Sequence, residues 1–169
     1  KRNREVYLHG LLVSDLSVAI YEDMIVNNPA YFDDITILAK KDMKEYLHHA
    51  AMFHDLGSTE ILGTVRITWR ELTQDEKKQY ENHTLYGSAG VNGVKEFEKY
   101  IDVIKGHHKY CDGTKGFPHG YDNTKSPYKP LVDIIAIAVA IDELTDQFTV
   151  INKEPMTFAD VMQLLTREK

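Results

Sequence analysis

The sequence predicts an all-α protein, and three observations support this fold class. Apolar residues within residues 4–26 recur every three or four positions, the spacing of one face of a helix. Thr73-Gln74-Asp75-Glu76 has the capping-box pattern that opens a helix. The apolar stretch LVDIIAIAVAIDEL, residues 131–144, contains enough β-branched residues for a buried strand. Its length and its alanine spacing favour a buried helix instead.

The first half of the chain predicts two helices. The first covers residues 4–26 and ends at Asn27-Asn28-Pro29, because proline cannot continue a helix. The second covers about residues 33–55, and Gly57 is the predicted stop signal after it. Residues 58–72 are mixed in composition and are predicted to form a loop with short turns.

The second half predicts further helices separated by one long loop. The capping box opens a helix toward His83, where another short helix begins. Apolar residues within 94–104 predict a helix that reaches His107-His108. Residues 110–130 are rich in Gly, Pro, Asp and Asn and therefore predict a long loop. Residues 157–160 open a last short helix.

The bulk composition fits one globular domain over residues 1–169. A net charge of −6 without a basic stripe disfavours binding to duplex nucleic acid. An anionic small substrate stays compatible, because metal ions can supply positive charge locally. The single cysteine, Cys111, excludes an internal disulfide framework and fits a reducing compartment, so we expect a cytoplasmic location.

The chain ends and the hydropathy add two expectations. No apolar stretch is long enough to span a membrane, and no secretory signal pattern is present. The helical rhythm begins almost at once after Lys1, which suggests a domain cut from a longer protein.

Histidines at the ends and on the faces of predicted helices are candidate metal ligands. His54 and Asp55 directly follow an apolar run, where burying both is costly without a metal ion or a hydrogen-bond network. The full candidate set is Glu5, His9, His54, Asp55, His83, His107 and His108. Such a set suits a pair of divalent ions such as Fe, Mn or Zn. Each histidine alone is more often a surface or hydrogen-bonded core residue, the class that we assign to His48, His49 and His119.

The order of these residues along the chain is more specific than any one of them. Glu5 and His9 form Glu-x-x-x-His, and AAMFHDLG, ELTQDEKKQYENHTLYG, IKGHHKYCDGTKGFPHG and AIAVAIDELTD follow in that order. Together they resemble the HD-GYP family of cyclic di-GMP phosphodiesterases, a branch of the HD phosphohydrolase superfamily. The resemblance covers essentially the full chain. It implies a bundle of about six to eight helices with a long Gly/Pro loop.

The resemblance also implies a chemistry. The seven candidate residues would hold two or three divalent ions, Fe or Mn in the first place, with Zn, Ni or Mg also fitting. His54 and Asp55 would carry the catalytic role. Gly116-Phe117-Pro118 stands in the place of the diagnostic Gly-Tyr-Pro, and would lie beside the substrate cleft or dock partner domains. The implied partners are a cyclic dinucleotide or another phosphoester, other domains of the same chain, and a second copy in a homodimer.

The chain departs from the family pattern at groups that bind phosphate or metal. Ser58 replaces a lysine, Val139 replaces a metal-binding aspartate, and residues 148–151 replace an Arg-Pro-Tyr-Lys segment. Lys153 is the nearest substitute cation and is expected to contact the substrate. Asp142 lies one helical turn beyond Val139 and is expected to reach the metals only if the helix is shifted. Because charge-assisted hydrogen bonds contribute about 1.5–3 kcal/mol each, these losses predict weak substrate binding.

Two hypotheses about function follow, and a third is less favoured. The domain is either an active metal-dependent phosphodiesterase or a catalytically degenerate domain that serves as a sensor, binding or dimerisation module. The enzyme is slightly favoured, because a purely structural domain does not need seven ligand-type residues. The third hypothesis is a metal-free helical bundle whose core histidines are satisfied by hydrogen bonds.

Overall fold

The computed structural model describes residues 2–61, 71–145 and 155–167, apart from the side chains of Arg2, Asn3 and Glu5. Its α-helices are α1 (Arg2–Asn27), α2 (Lys40–Phe53), α3 (Gln74–Glu81), α4 (His83–Val91), α5 (Ile101–Gly106), α6 (Lys129–Thr145) and α7 (Phe158–Arg167). Short 3₁₀ helices cover Pro29–Phe32, Leu56–Glu60, Glu98–Tyr100 and Asn123–Lys125. The described residues form no strand, only one isolated bridge between Lys109 and Gly116. The all-α prediction is therefore confirmed.

Helix α6 lies at the centre of the bundle, in contact with α1, α2, α5 and α7. Ala50 and Ala51 of α2 and Ala138 of α6 are fully buried, and such small side chains let helix axes approach closely. The helical interpretation of residues 131–144 is thus confirmed. None of the helices in the described ranges combines the length and the hydrophobicity that a membrane crossing requires.

Helix α2 begins later than predicted, at Lys40 instead of about residue 33. The intervening segment starts with a 3₁₀ turn at Pro29 and packs its own side chains into the core. Phe32 is fully buried, with its ring centroid 5.1 Å from that of Tyr21 in an edge-on arrangement. Tertiary packing of this segment, which local spacing does not report, therefore displaces the start of the helix.

Gly57 was predicted to end α2, but the helix already ends at Phe53. Gly57 lies instead in the 3₁₀ helix Leu56–Glu60, which packs against α4. A Cβ atom on Gly57 would lie 1.9 Å from the carbonyl oxygen of His83 and 2.4 Å from the backbone nitrogen of Gly87. Glycine at this position therefore allows the close approach of the two elements.

The second half of the chain follows the prediction with one shortening. Thr73 caps α3, and both hydrogen bonds of its capping box with Glu76 are present. The predicted helix over 94–104 is reduced to the 3₁₀ helix and α5, because Phe97 packs against Phe53 at 4.8 Å between ring centroids and holds the preceding residues in a turn. The long loop runs until α6 begins, and the last short helix is present as α7.

Candidate metal centre

Five histidines from four helices or their ends lie together at one site. His9 comes from α1, His54 follows α2, His83 begins α4, and His107 and His108 follow α5. Their ring centroids lie 4.9 Å apart for His9 and His54, 4.8 Å for His54 and His107, 5.2 Å for His83 and His107, and 4.3 Å for His107 and His108. The structure therefore brings together the five imidazoles that the sequence groups as ligands.

In three of these rings a backbone carbonyl oxygen accepts a hydrogen bond from the nitrogen Nδ1. His54 Nδ1 lies 2.5 Å from Ala51 O, His83 Nδ1 lies 2.6 Å from Tyr80 O, and His107 Nδ1 lies 3.0 Å from Ile104 O. Each acceptor belongs to the last turn of a helix, where carbonyl groups lack intrahelical partners. Because a carbonyl can only accept, Nδ1 carries the hydrogen in each ring. The neutral ring then presents the lone pair of Nε2, a nitrogen suited to bind a metal.

The pair of His83 and His107 shows why this site fits a cation. Their Nε2 atoms lie 3.0 Å apart, and neither carries a hydrogen once Nδ1 does. A bridging proton is disfavoured, because burial and the charges of neighbouring histidines lower the pKa of His107 well below its usual value. Two ligands at right angles and about 2.1 Å from one ion lie about 3.0 Å apart. The chemistry and spacing of these nitrogens therefore fit a divalent metal ion.

His108 and Asp55 extend this group. The ligand nitrogens of His83, His107 and His108 all lie within 4.8 Å of one another. Asp55 places Oδ1 3.6 Å from His83 Nε2 and accepts a hydrogen bond from the hydroxyl of Ser58. Ser58 is buried, so its hydroxyl supports Asp55 from within the site.

Asp142 reaches the histidine cluster through His9. Its carboxylate accepts a hydrogen bond from His9 Nδ1, while His9 Nε2 faces His54 Nε2 at 3.0 Å. Val139, one turn earlier on α6, is buried in the hydrophobic core. The carboxylate contributed by α6 on this side therefore comes from position 142.

The electrostatic environment of His9 differs from that around His83. Burial lowers the pKa of His9, but its hydrogen bond with Asp142 and the negative charges of Asp55, Asp142 and Glu143 outweigh burial and raise the pKa overall. A proton on His9 can therefore bridge to the Nε2 lone pair of His54 when no metal is present. Burial, aided by the charge of His9, lowers the pKa of His54 itself to about 4.

Two carboxylates at the site, those of Asp142 and Glu143, are absent from the ligand set predicted from sequence. Glu143 places Oε1 3.8 Å from His108 Nε2 and accepts a hydrogen bond of 2.8 Å from the hydroxyl of Tyr80. Burial raises the pKa of Glu143 to about 7. The available signal was the acidic pair Asp142-Glu143 at the end of an otherwise apolar helix, where buried carboxylates need partners.

The loop that carries Gly116-Phe117-Pro118 borders the histidines. The ring centroid of Phe117 lies 4.3 Å from that of His108 and 5.7 Å from that of His83. Gly116 has φ +78° and packs so closely that a Cβ atom would lie 1.9 Å from the carbonyl oxygen of His108. Phe117 therefore covers one side of the histidine cluster.

Other predicted residues lie away from the centre or outside the described part of the chain. His48 is hydrogen bonded to Ser14 at 2.8 Å, and His119 pairs with Glu81 at the surface. The side chain of Glu5 and the residues Phe148, Ile151 and Lys153 lie outside the described residues. Their predicted roles in metal and substrate binding stay predictions.

Comparison with known proteins agrees with this site. Residues 35–169 match the family described as HD domain, and the match covers most of the chain. No curated protein matches the chain. HD domains bind divalent metals, and membership suggests metal-dependent phosphohydrolase activity. The buried His54-Asp55 pair lies within the matched range and at the centre of the histidine cluster, and the chain belongs to the HD domain family.

Proposed function

We propose that this domain is a metal-dependent phosphodiesterase of HD-GYP type that acts on cyclic di-GMP or a related phosphoester. The observation that carries the proposal is the orientation of His54, His83 and His107. Their Nδ1 atoms are held by backbone carbonyls, and their Nε2 atoms turn into one buried site beside Asp55. In a metal-free bundle, two imidazole lone pairs that face each other at 3.0 Å would repel each other.

The residues divide into two groups that could each hold an ion. His83, His107 and His108 form one group, His9, His54 and Asp142 form the other, and Asp55 lies against the first. A dinuclear centre of Fe or Mn is the form that we propose. When bound, such ions would neutralise charge on a phosphoester and acidify a water molecule that attacks phosphorus.

The chain's own side chains set the conditions for this reaction. Burial and neighbouring imidazoles lower the pKa of His107 and His108 well below the usual value, so both rings stay neutral at pH 7. Ser58 donates its hydroxyl hydrogen to Asp55 and so orients the carboxylate that we propose as a catalytic residue. Phe117 covers the imidazoles and offers a ring face to a bound substrate. We propose Gly116, Phe117, Pro118 and Lys153 as substrate contacts.

The test combines metal content with turnover. Protein stripped with chelator and reloaded with Mn²⁺ or Fe²⁺ is expected to hold the ion and to hydrolyse bis-p-nitrophenyl phosphate. Cyclic di-GMP is expected to turn over slowly, well below about 1 s⁻¹, because the cations that clamp phosphate in the family are replaced. His107→Asn is the matched loss-of-site variant and Asp133→Asn the remote control. Failure to retain any ion after reloading would overturn the proposal.

One observation favours a second candidate, a degenerate domain that binds a ligand and regulates neighbouring domains. Ser58 is buried and engaged with Asp55, so no ammonium group reaches out from that position toward a phosphate. Calorimetry with cyclic di-GMP separates the two candidates. Binding without hydrolysis in the metal-loaded protein would favour the regulatory module, and hydrolysis would favour the enzyme.

A further inference from the structure

Glu143 lies beside His108, one of the histidines that would hold an ion of the proposed centre. The resemblance assigns Glu143 no role. It occupies α6 directly after Asp142, and its Oε1 is 3.8 Å from His108 Nε2. Two atoms that bind one ion at about 2.1 Å can lie at most about 4.2 Å apart. An ion held by His108 can therefore also contact Glu143.

From this geometry we infer that Glu143 is a metal ligand that binds the same ion as His108. The inference rests on the proposed function, because it assigns a further residue to the same centre. An imidazole supplies a ligand atom without negative charge, so among these neighbours Asp55, 3.6 Å from His83, supplies one negative charge against a divalent ion. Glu143 supplies the second, and two carboxylates offset the charge of the ion in a buried site.

Tyr80 acts as the positioning residue for this carboxylate. Its hydroxyl donates a 2.8 Å hydrogen bond to Glu143 Oε1, and its ring centroid lies 5.2 Å from that of His83. Outer hydrogen bonds of this kind hold a ligand in its binding orientation. With Asp142 bound to His9 and Glu143 beside His108, adjacent residues of α6 supply one carboxylate to each group of histidines.

The test measures metal binding in the full chain and does not depend on activity. Wild type, Glu143→Gln and Tyr80→Phe are stripped, then titrated with Co²⁺ while visible absorption is recorded, and Mn²⁺ content is measured by plasma emission. Glu143→Gln keeps the size of the side chain and removes its charge. We expect its Kd for the ion to rise by more than the roughly 10-fold to 100-fold typical of outer partners, with an altered cobalt spectrum. Tyr80→Phe is expected to show a smaller rise.

Asp133→Asn is the matched control on the same helix. Asp133 is a buried carboxylate that pairs with Lys129 and Tyr31. Its replacement is expected to leave the Kd and the spectrum unchanged. A wild type without bound ion would overturn both the inference and the proposed function. A metal-binding wild type matched by Glu143→Gln in Kd and spectrum would overturn the inference alone. If Glu143→Gln does not fold by circular dichroism, a Tyr80→Phe variant identical to wild type would overturn it.

Discussion

At the scale of single residues, Asp55 differs from the histidines around it because it contributes charge as well as a ligand atom. It lies 3.6 Å from His83 Nε2 and is oriented by the Ser58 hydroxyl. The neighbouring imidazoles have lowered pKa values where burial dominates, so they add ligand atoms without negative charge. Attraction between a carboxylate and a divalent ion is strong in a site with little water.

Asp55→Asn is therefore expected to lower bound metal more than His54→Asn does. Asparagine keeps the size of the side chain and can still accept the hydrogen bond from Ser58, so the comparison isolates charge. Plasma emission on protein dialysed against a fixed Mn²⁺ concentration measures the stoichiometry of both variants. Equal metal content in Asp55→Asn and wild type would contradict this role of Asp55.

At the scale of elements, the site depends on the approach of the 3₁₀ helix Leu56–Glu60 to α4. The element carries Gly57 against the backbone of His83 and Gly87, and it directly follows His54 and Asp55 in the chain. The same contact therefore sets the distance between Asp55 and His83. A side chain at position 57 would push these two ligand-bearing elements apart.

Gly57→Ala is expected to reduce the free energy of unfolding by at least about 2 kcal/mol, because backbone atoms block the new methyl group. Urea denaturation followed by circular dichroism measures the change. Gly90→Ala is the matched control. Gly90 lies within α4, and a Cβ atom there would meet nothing within 4 Å. Its replacement is expected to stabilise by about 0.5–1 kcal/mol. Equal effects of the two substitutions would contradict the close packing of Gly57.

At the scale of the whole molecule, the bundle buries several ionisable groups whose protonation is linked to folding. The pKa values of His54, His107 and His108 are lowered mainly by burial, whereas burial raises that of Glu143 to about 7. Below about pH 6.5 the unfolded chain protonates these three histidines, and the folded protein does not. Glu143 has the opposite sign, because the folded protein takes up its proton first as pH falls.

The metal-free protein is therefore expected to lose stability as pH falls from about 6.5 toward 5. Three histidines favour the unfolded state, whereas Glu143 and His9, whose pKa values are raised, oppose them, so unfolding takes up protons net over this range. The free energy of unfolding should then fall by about 1.4 kcal/mol per pH unit for each proton taken up net. Urea denaturation in chelator at pH 7, 6 and 5 measures this slope. His54→Asn should show a shallower slope, and a slope that is flat or rises toward pH 5 would contradict the buried neutral state.

Much of the secondary structure and most of the site residues were predictable from local features of the chain. The capping box at Thr73, the helical spacing before Asn27 and the length of the apolar run in α6 act over one or two turns. Such features depend on near neighbours in the chain, so the sequence reports them directly. The start of α2 was not predictable, because burial of Phe32 against Tyr21 displaces it.

By itself, the sequence determined the all-α class and the identity of the histidines that gather at the site, since helix period and residue type are properties of local sequence. Tertiary structure alone decided which ring nitrogens face inward, because the carbonyls that hold Nδ1 are exposed only where helices end. It also decided that Asp142 and Glu143 join the site, since their contacts with His9 and His108 depend on how α6 sits against α1 and α5. Such contacts join residues far apart in the chain, where helical periodicity carries no information.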